Sequence, residues 1–391
     1  MKKLLSLLIR AVRSPSIHFQ FGNIALMMFQ SFVAPFIIGV AAFGAQMLFL
    51  APVFFAQALL EPSYQADLNS STDGETANIN LSNIALQTGV LMTIAVAATI
   101  GDFDIILLIF VAIFYALYSL IGAAAFALKD VKLAAVARYT SLAAYLVTFV
   151  SMVYLDIEGA IIAANLAGFA LASTIVGGIL LTQRRVSFRW DRPSFGTLAG
   201  GLSFRLPTIC ITGLTTIVLG YAGATAATIG EFRIFMAAIS SGRFINVVPL
   251  AKLQASIQRH LAFGDTELPT LLRYYGASYL VFASVLVAAF PLAYELAFGS
   301  PSFNRITLLA ASLFLVAQPL AYYIFVLRPL SPIFNTTFPA LLSVVLMAMF
   351  YALFALSGSA DLAISISIVA LVFVYVLAAR SIGPVAATHR A

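Results

Sequence analysis

Apolar segments of about 20 residues recur along nearly the whole chain, and this recurrence limits the fold more than any other feature of the sequence. A segment of that length spans the hydrocarbon core of a bilayer as an α-helix. An open strand cannot span it, because lipid leaves the backbone groups of the strand without hydrogen-bond partners. Of the 391 residues, 62% are hydrophobic and 9% are charged, whereas a soluble domain carries about 25% charged residues. The sequence therefore predicts an all-α integral membrane protein.

The pattern predicts about twelve transmembrane helices joined by short loops. The predicted spans are 18–42, 45–61, 81–100, 104–127, 135–155, 159–182, 197–221, 226–250, 273–298, 304–328, 333–357 and 361–381. Two of them are atypical, because 45–61 is short and 226–250 contains three charged residues. The basic N-terminus is typical of a signal peptide, but the apolar stretch after it is too long for a cleaved one. We therefore expect an uncleaved first helix.

Lysine and arginine residues determine the predicted orientation, because they accumulate in the cytoplasmic loops of membrane proteins. With the N-terminus inside, Arg305 alone falls outside. The basic residues that then fall inside are Lys2, Lys3, Arg10, Arg13, Lys129, Lys132, Arg138, Arg184, Arg185, Arg189, Arg192, Lys252, Arg259, Arg273, Arg328, Arg380 and Arg390. This asymmetry predicts a bacterial inner-membrane protein with both termini in the cytoplasm. The acidic segment Glu61–Asn83 also falls inside on this topology, but it contains no basic residue, so the sequence leaves its side open.

A basic segment, 183–194, divides the chain into two halves, 1–182 and 195–391, and each half is predicted to form a six-helix bundle. The halves match weakly: Gly39–Gly44 leads into the second predicted helix as Ala224–Gly230 leads into the eighth. Any two apolar helices share some residues, so the match alone leaves the repeat open. Because each half has an even number of helices, the repeat would be parallel, with a pseudo-twofold axis along the membrane normal. Such repeats are typical of transporters, with the substrate path between the halves.

Three arginines lie within predicted spans, where an ionisable group is costly and therefore marks a functional candidate. Arg233 and Arg243 lie about 15 Å apart along the eighth helix, and Arg205 precedes Pro207, which can kink the seventh. Guanidinium groups suit phosphate oxygens, so the three residues predict a cavity for an anionic substrate. Two alternatives stay open. Arg205 and Arg233 could each extend to the nearest lipid headgroups, and Arg243 could form a structural pair.

The other polar residues give weaker indications. Glu231, near the outer end of the eighth helix, is a candidate for ion coupling or for pairing with a basic neighbour. Trp190, beside Arg189, is typical of the membrane interface. The single cysteine, Cys210, excludes an intrachain disulfide, and the three histidines have no metal-site spacing. The sequence has no nucleophile–base arrangement, nucleotide-binding loop or basic stripe with interleaved aromatic residues, so we expect no enzyme activity, cofactor, metal or nucleic-acid partner.

Three segments give the chain a resemblance to a known family. They are Leu202-Ser-Phe-Arg-Leu-Pro207, the run Ile229-Gly-Glu-Phe-Arg-Ile-Phe235 leading to Pro249-Leu-Ala-Lys252, and Gly159-Ala-Ile-Ile-Ala-Ala-Asn-Leu166. With these segments, the sequence resembles the Wzx-type polysaccharide flippases of the multidrug/oligosaccharidyl-lipid/polysaccharide (MOP) exporter superfamily. The resemblance implies a MATE/MOP-like fold of two six-helix bundles facing a central cavity.

The resemblance also implies a function. Such proteins move undecaprenyl-diphosphate-linked oligosaccharide units across the inner membrane by alternating access, for exopolysaccharide or O-antigen synthesis. Arg205 and Arg243 would hold the diphosphate, with Arg233 nearer the exit. The implied partners are the lipid-linked substrate, membrane lipids, and polysaccharide polymerase and chain-length proteins. The chain departs from the family pattern because it is slightly short and has no arginine deep in the second helix, where Gln57 matches the position of Arg243.

Two other functions stay open. A drug/cation antiporter of the same superfamily needs embedded carboxylates, and the predicted first and seventh helices contain none. A membrane polysaccharide polymerase or ligase needs a large periplasmic loop. The outer turns are too short for this role unless the topology is inverted and Glu61–Asn83 faces outside.

Overall fold

The computed structural model describes residues 15–72, 75–97, 104–192, 206–241, 267–299 and 337–388, together with positions 308, 313, 314 and 320. Within these residues, eight helices are long and apolar enough to cross a membrane, and two shorter apolar helices accompany them. The chain is therefore a multi-pass helical membrane protein, as its composition predicts.

The chain is divided into two compact units, Met1–Gly201 and Leu202–Ala391. The first contains α1 (Pro15–Met28), α2 (Ala34–Ile38), α3 (Val40–Ser71), β1 (Ala77–Asn80), α4 (Leu81–Ala97), α5 (Ile105–Ala127), α6 (Val131–Tyr154), α7 (Ala160–Thr182) and β2 (Val186–Arg189). The described helices of the second are α8 (Leu206–Ile209), α9 (Thr215–Tyr221), α10 (Ala226–Ser240), α11 (Glu267–Phe298), α12 (Thr337–Ser357) and α13 (Ala360–Thr388). The described part of the segment 183–194 belongs to the first unit, and the domain boundaries drawn at that segment stay a prediction.

Short polar residues and glycines define where several helices begin. Asp104, Asp130 and Thr225 each accept a hydrogen bond from the backbone N–H three residues further on, which pairs a donor that the first helical turn leaves unpaired. Gly39 (φ 85°) and Gly159 (φ 80°) adopt a conformation that favours glycine. Gly39 separates α2 from α3, and Gly159 precedes α7.

Most predicted spans overlap described helices, and several differ in extent, among them 273–298, whose helix begins at Glu267, and 361–381, whose helix ends at Thr388. The predicted span 18–42 stops at Ile38, because Gly39 breaks the helix. The predicted span 45–61 belongs to the 32-residue helix α3, which continues to Ser71. The polar residues after Glu61 prevent a longer membrane span, but they form a helix beyond it. The span 304–328 lies outside the described residues except for four positions.

The same helical distortion occurs in the first predicted helix of each half. A five-residue π-helical segment, Phe29–Val33, follows α1, and another, Cys210–Leu214, follows α8. A π-helical turn bonds each N–H to a carbonyl five residues back, and such turns occur frequently at functional sites. Its recurrence at the same point in the order of helices supports the internal repeat.

A parallel two-stranded sheet joins the acidic and basic segments of the first unit. Asn78 of β1 lies opposite Ser187 of β2, and their side chains form a hydrogen bond. Asn80 Oδ1 accepts a hydrogen bond from the backbone N–H of Asp191 at 3.3 Å. The segment Glu61–Asn83 contains β1, and β1 pairs with β2. The segment therefore lies on the same side of the membrane as the basic segment. We call this side the linker side.

An ion pair holds the turn before α6 against the start of β2. Arg185 Nη1 donates to Asp130 Oδ2 at 2.5 Å. Partial burial raises the pKa of the Asp130 carboxyl, but the hydrogen bonds from Arg185 and from the Leu133 N–H outweigh it and hold that pKa below its ordinary value. The pair therefore stabilises the fold above the unfolded-state pKa of Asp130, and this contribution is lost as the pH falls through the folded-state pKa.

Cysteine pairs test the register of the sheet. In a Cys210→Ser background, Asn78→Cys/Ser187→Cys is expected to form a disulfide on mild oxidation, because opposing residues of paired strands lie within disulfide reach. Asn78→Cys/Asp191→Cys, displaced by about 13 Å along the strand, is the control and should stay reduced. Mass spectrometry of digested protein identifies the linked peptides. Equal cross-linking of both pairs, or of neither, would contradict the register.

Candidate functional site

The first unit contains a half-buried arginine inside a membrane-spanning helix. Arg138 lies two turns into α6, about 10 Å from the start of the helix. Its Nη1 donates to Tyr118 Oη at 2.5 Å, and its guanidinium carbon lies 4.9 Å from the centre of the Tyr118 ring. A cation at that distance from an aromatic ring is attracted to it. Arg138 is therefore held by one residue of α5 through two kinds of contact.

Aromatic side chains from three helices hold Tyr118 in place. Tyr118 packs against Phe169 of α7 with ring centroids 5.3 Å apart, and Tyr115 stacks on the same ring at 4.5 Å. Phe54 of α3 meets Tyr115 edge-on at 5.4 Å. Such pairs stabilise beyond the area that they bury. They fix the ring beside which Arg138 lies, so the guanidinium is preorganised.

A cavity of about 50 Å³ lies beside Arg138, with room for water molecules. Glu61, an exposed residue at the linker-side end of the span in α3, lines it together with Tyr115, Tyr118 and Ser119. The Glu61 carboxylate interacts electrostatically with Arg138. A guanidinium carries five N–H donors in a planar fork that matches phosphate oxygens. Arg138 therefore has the chemistry to bind an anion that exchanges with its present partners.

Side-chain amides link three helices at the opposite end of the same unit. Gln30, in the π-helical segment, donates to Asn165 Oδ1 at 2.9 Å, and Asn165 Nδ2 donates to the Ile161 carbonyl at 2.8 Å. Gln46 Oε1 of α3 accepts from the Ile161 N–H at 2.7 Å. The segment Gly159–Leu166, which contributes to the family resemblance, thus supplies the centre of a polar network.

A larger cavity of about 550 Å³ lies beside this network. Its polar lining consists of Gln46 and the carboxylates Asp156 and Glu158, both of which are exposed in the turn between α6 and α7. Ile37 and Ile38 of α2 supply apolar lining. Two carboxylates beside an apolar wall suit a cation with an apolar body, not a phosphate.

Gln57, which matches the position of Arg243 in the repeat, is fully buried in α3. Among the described residues, neither atom of its amide group has a hydrogen-bond partner. An unpaired buried polar group costs about 1–3 kcal/mol. The first half therefore keeps a polar side chain inside its helix bundle at the position where the second half has an arginine.

Of the three arginines predicted to line a cavity, the structure describes Arg233. This residue is half-buried in α10, and its Nη1 donates to the Thr212 carbonyl at 3.3 Å. Thr212 belongs to the π-helical segment Cys210–Leu214. This donor therefore bonds to the protein backbone and not to a lipid headgroup.

The remaining predicted site residues are placed only in part. Glu231 is half-buried in α10 and interacts electrostatically with Tyr294 of α11. Arg205 and Arg243 lie outside the described residues. The cavity predicted from the three arginines, and the coupling role of Glu231, therefore stay predictions.

Sequence reasoning missed Arg138 as a site residue because it misjudged where the helix begins. The predicted span starts at residue 135, which leaves Arg138 near the membrane surface among the loop cations. The observed helix starts at Val131, one turn earlier, which moves Arg138 deeper into the span. The signal was present, because Asp130 followed by an apolar run is a helix-start pattern.

Comparison with known proteins identifies the fold. No protein-family model matches the chain, and no curated protein matches it. Among solved structures, an inward-facing multidrug resistance MATE family transporter of the MOP superfamily matches with a TM-score of 0.57 and 14% identity, over 94% of this chain and 95% of that one. A mutant of the Vibrio cholerae MATE transporter VcmN matches with a TM-score of 0.54 and 15% identity, over 96% and 97%.

These matches define the class of fold. The chain is a multi-pass helical membrane protein with a MATE-like fold, as the family resemblance implies. Both matched proteins are transporters of the MATE family. At 14–15% identity the likeness extends to the fold alone.

Proposed function

We propose that the chain translocates undecaprenyl-diphosphate-linked oligosaccharides across the bacterial inner membrane by alternating access. Arg138 is the observation that carries this proposal. From the sequence, embedded arginines appear only in the second half. A half-buried guanidinium in α6, held on an aromatic support and next to a cavity, supplies a cation in the first half.

A diphosphate carries negative charges on several oxygens, and guanidinium forks bind such oxygens through paired hydrogen bonds. In this proposal, Arg205 and Arg243 bind the diphosphate and Arg233 lies nearer the exit, as the family resemblance implies, and Arg138 supplies a further guanidinium for the anionic substrate. A MATE-like fold fits alternating access, because transporters with internal repeats expose a central site to one side and then to the other. Inner-membrane location and cytoplasmic termini are part of the proposal.

Polymer export in cells tests the proposal. We expect Arg243→Ala to stop export of the polysaccharide and to accumulate the lipid-linked intermediate, while the protein still reaches the membrane. Arg243→Lys, which keeps the charge and loses the fork, should retain part of the export. The readouts are surface polymer, extracted lipid-linked oligosaccharide and an immunoblot of membranes. Normal export by a stable Arg243→Ala protein would contradict the proposed role.

A drug/cation antiporter is the second candidate. The observation that favours it is the 550 Å³ cavity lined by Asp156, Glu158 and Gln46, since carboxylates attract cations and the apolar wall suits a drug-like body. The matched solved structures are also MATE transporters. Drug-resistance assays on a deletion strain separate the two candidates. A strain that becomes drug-sensitive while its lipid-linked oligosaccharide stays normal would favour the antiporter.

A polymerase or ligase has less support. A polymerase or ligase function requires Glu61–Asn83 to lie on the periplasmic side. However, β1 of this segment pairs with β2 of the arginine-rich segment. By the positive-inside rule, the arginine-rich segment faces the cytoplasm. We propose polysaccharide polymerase and chain-length proteins as partners that receive the translocated unit, not as activities of this chain.

A further inference from the structure

An exposed aromatic and basic surface lies on and around β2, and the transport proposal does not use it. Phe188 is 54% exposed and Trp190 is 75% exposed, and alternate residues of an extended segment point to the same side. Exposed basic side chains lie around them. We propose that this surface binds the anionic phospholipid headgroups of the leaflet on the linker side. We call it the linker platform, and it consists of Lys129, Lys132, Arg184, Phe188, Trp190 and Arg192.

The position of the linker platform in the chain places it at headgroup depth. The membrane-spanning helix α7 ends at Thr182, and β2 begins at Val186. Tryptophan is enriched at membrane interfaces because its ring is apolar and its N–H is polar. An exposed Phe188 is costly in water, and insertion beside Trp190 among the headgroups removes its ring from water.

The charge balance selects anionic lipid over zwitterionic lipid. Lys129, Lys132, Arg184 and Arg192 are exposed. The neighbouring carboxylates Asp130 and Asp191 are held in ion pairs by Arg185 at 2.5 Å and by Arg189 at 2.9 Å. Glu75, before β1, is a further exposed carboxylate. The four basic residues outnumber this carboxylate. An anionic membrane surface attracts each of them within about a Debye length.

The linker platform is also preorganised. Pairing with β1 fixes the backbone of β2 in register, and the ion pair between Asp130 and Arg185 fixes the turn that carries Lys129. A surface that is ordered before binding loses less conformational entropy when lipid arrives. Lipid binding here would hold the segment between the two halves at the membrane surface. This inference does not depend on which solute is transported.

Trp190 provides the test, because it is the only tryptophan in the chain. The purified protein is reconstituted in equal mixtures of phosphatidylglycerol and phosphatidylcholine, with bromine on the acyl chains of one lipid or of the other. We expect both brominated lipids to quench Trp190 fluorescence, because the ring lies at the interface. We expect brominated phosphatidylglycerol to quench more, because a basic residue in contact with a headgroup favours phosphatidylglycerol over phosphatidylcholine by about fivefold.

Charge variants separate attraction from simple proximity. Arg184→Gln/Arg192→Gln should lower the enrichment of phosphatidylglycerol, whereas the matched control Arg184→Lys/Arg192→Lys should preserve most of it. Unchanged fluorescence with both brominated lipids would overturn the inference, because it would show that the Trp190 ring does not lie at the membrane interface. Equal quenching by the two lipids in the wild-type protein would overturn the preference for anionic headgroups. Both decisive measurements use the wild-type chain, so a variant that misfolds does not affect them.

Discussion

The Arg138→Ala protein is expected to reach the membrane and to translocate lipid-linked oligosaccharide about 10- to 100-fold more slowly than the wild type. This range corresponds to about 1.4–2.7 kcal/mol, close to the contribution of a hydrogen bond to a charged group, about 1.5–3 kcal/mol. The side chain is half-buried beside a cavity, and water that fills the vacated space carries no positive charge to pair with a phosphate. Translocation is measured as the rate of polymer export, normalised to the amount of protein in the membrane.

Two matched variants separate binding from structural support. Arg138→Lys keeps the charge but loses the planar fork, so its export should fall between those of the wild type and Arg138→Ala. Tyr118→Phe removes the hydroxyl that accepts from Arg138 and keeps the ring beside it, so it should cost less than Arg138→Ala. Normal export by an Arg138→Ala protein that stays folded at the assay temperature would contradict a role of Arg138 in binding substrate.

Gly168→Ala is expected to destabilise the first unit by about 1–3 kcal/mol. A Cβ atom at this position of α7 would lie 3.0 Å from both the carbonyl oxygen and the Oγ of Ser141 in α6. The hydroxyl can rotate away, but the carbonyl oxygen is part of the α6 backbone, so the two helices must separate. Small residues at such contacts let transmembrane helices approach closely. The measurement is the thermal unfolding midpoint of the detergent-purified protein.

Gly178→Ala, on the same helix, is the control. No atom lies within 4 Å of a Cβ built at Gly178, so the substitution should leave the midpoint unchanged or raise it, since alanine favours helix over glycine by about 1 kcal/mol. Equal midpoints for the two variants would show that α6 and α7 are not packed as closely as the structure has them.

The helical fold could be predicted because a helix that crosses lipid must be long and apolar. This requirement appears in the sequence as apolar segments of about 20 residues. The predicted spans 104–127, 135–155 and 159–182 agree with α5, α6 and α7 within four residues. The extension of α3 to Ser71 could not be predicted from hydropathy, because helix propensity outside the membrane does not depend on apolar character.

The pairing of β1 with β2 also could not be predicted from the sequence. The two strands are four residues each and lie more than a hundred residues apart in the chain, and so short a pattern has no reliable periodicity. For the same reason, the sequence left the side of Glu61–Asn83 open. The π-helical segments left no sequence signal that we recognised, although Gln30 and Thr212 both make polar contacts from them.

The residues of the candidate site could be predicted only where a charged residue interrupts an apolar segment of the sequence. Arg233 stands within an apolar predicted span, so the sequence alone marks it as a candidate, whereas Arg138 lies close enough to a helix start to resemble a loop cation. Its partners could not be predicted, because Tyr118, Phe169 and Phe54 come from three different helices. Aromatic residues are common throughout the chain, and only the packing of the helices selects these three.

Translocation in a purified system tests the central proposal most directly. The protein is reconstituted in vesicles with a diphosphate-linked oligosaccharide whose sugar carries a fluorescent label, and a membrane-impermeant reductant destroys the label in the outer leaflet. With a proton or sodium gradient imposed in either direction, we expect the wild-type protein to expose nearly all of the label, and Arg138→Ala/Arg243→Ala to leave the inner-leaflet half protected. Wild-type vesicles that keep the inner-leaflet half protected under every gradient would contradict the proposal.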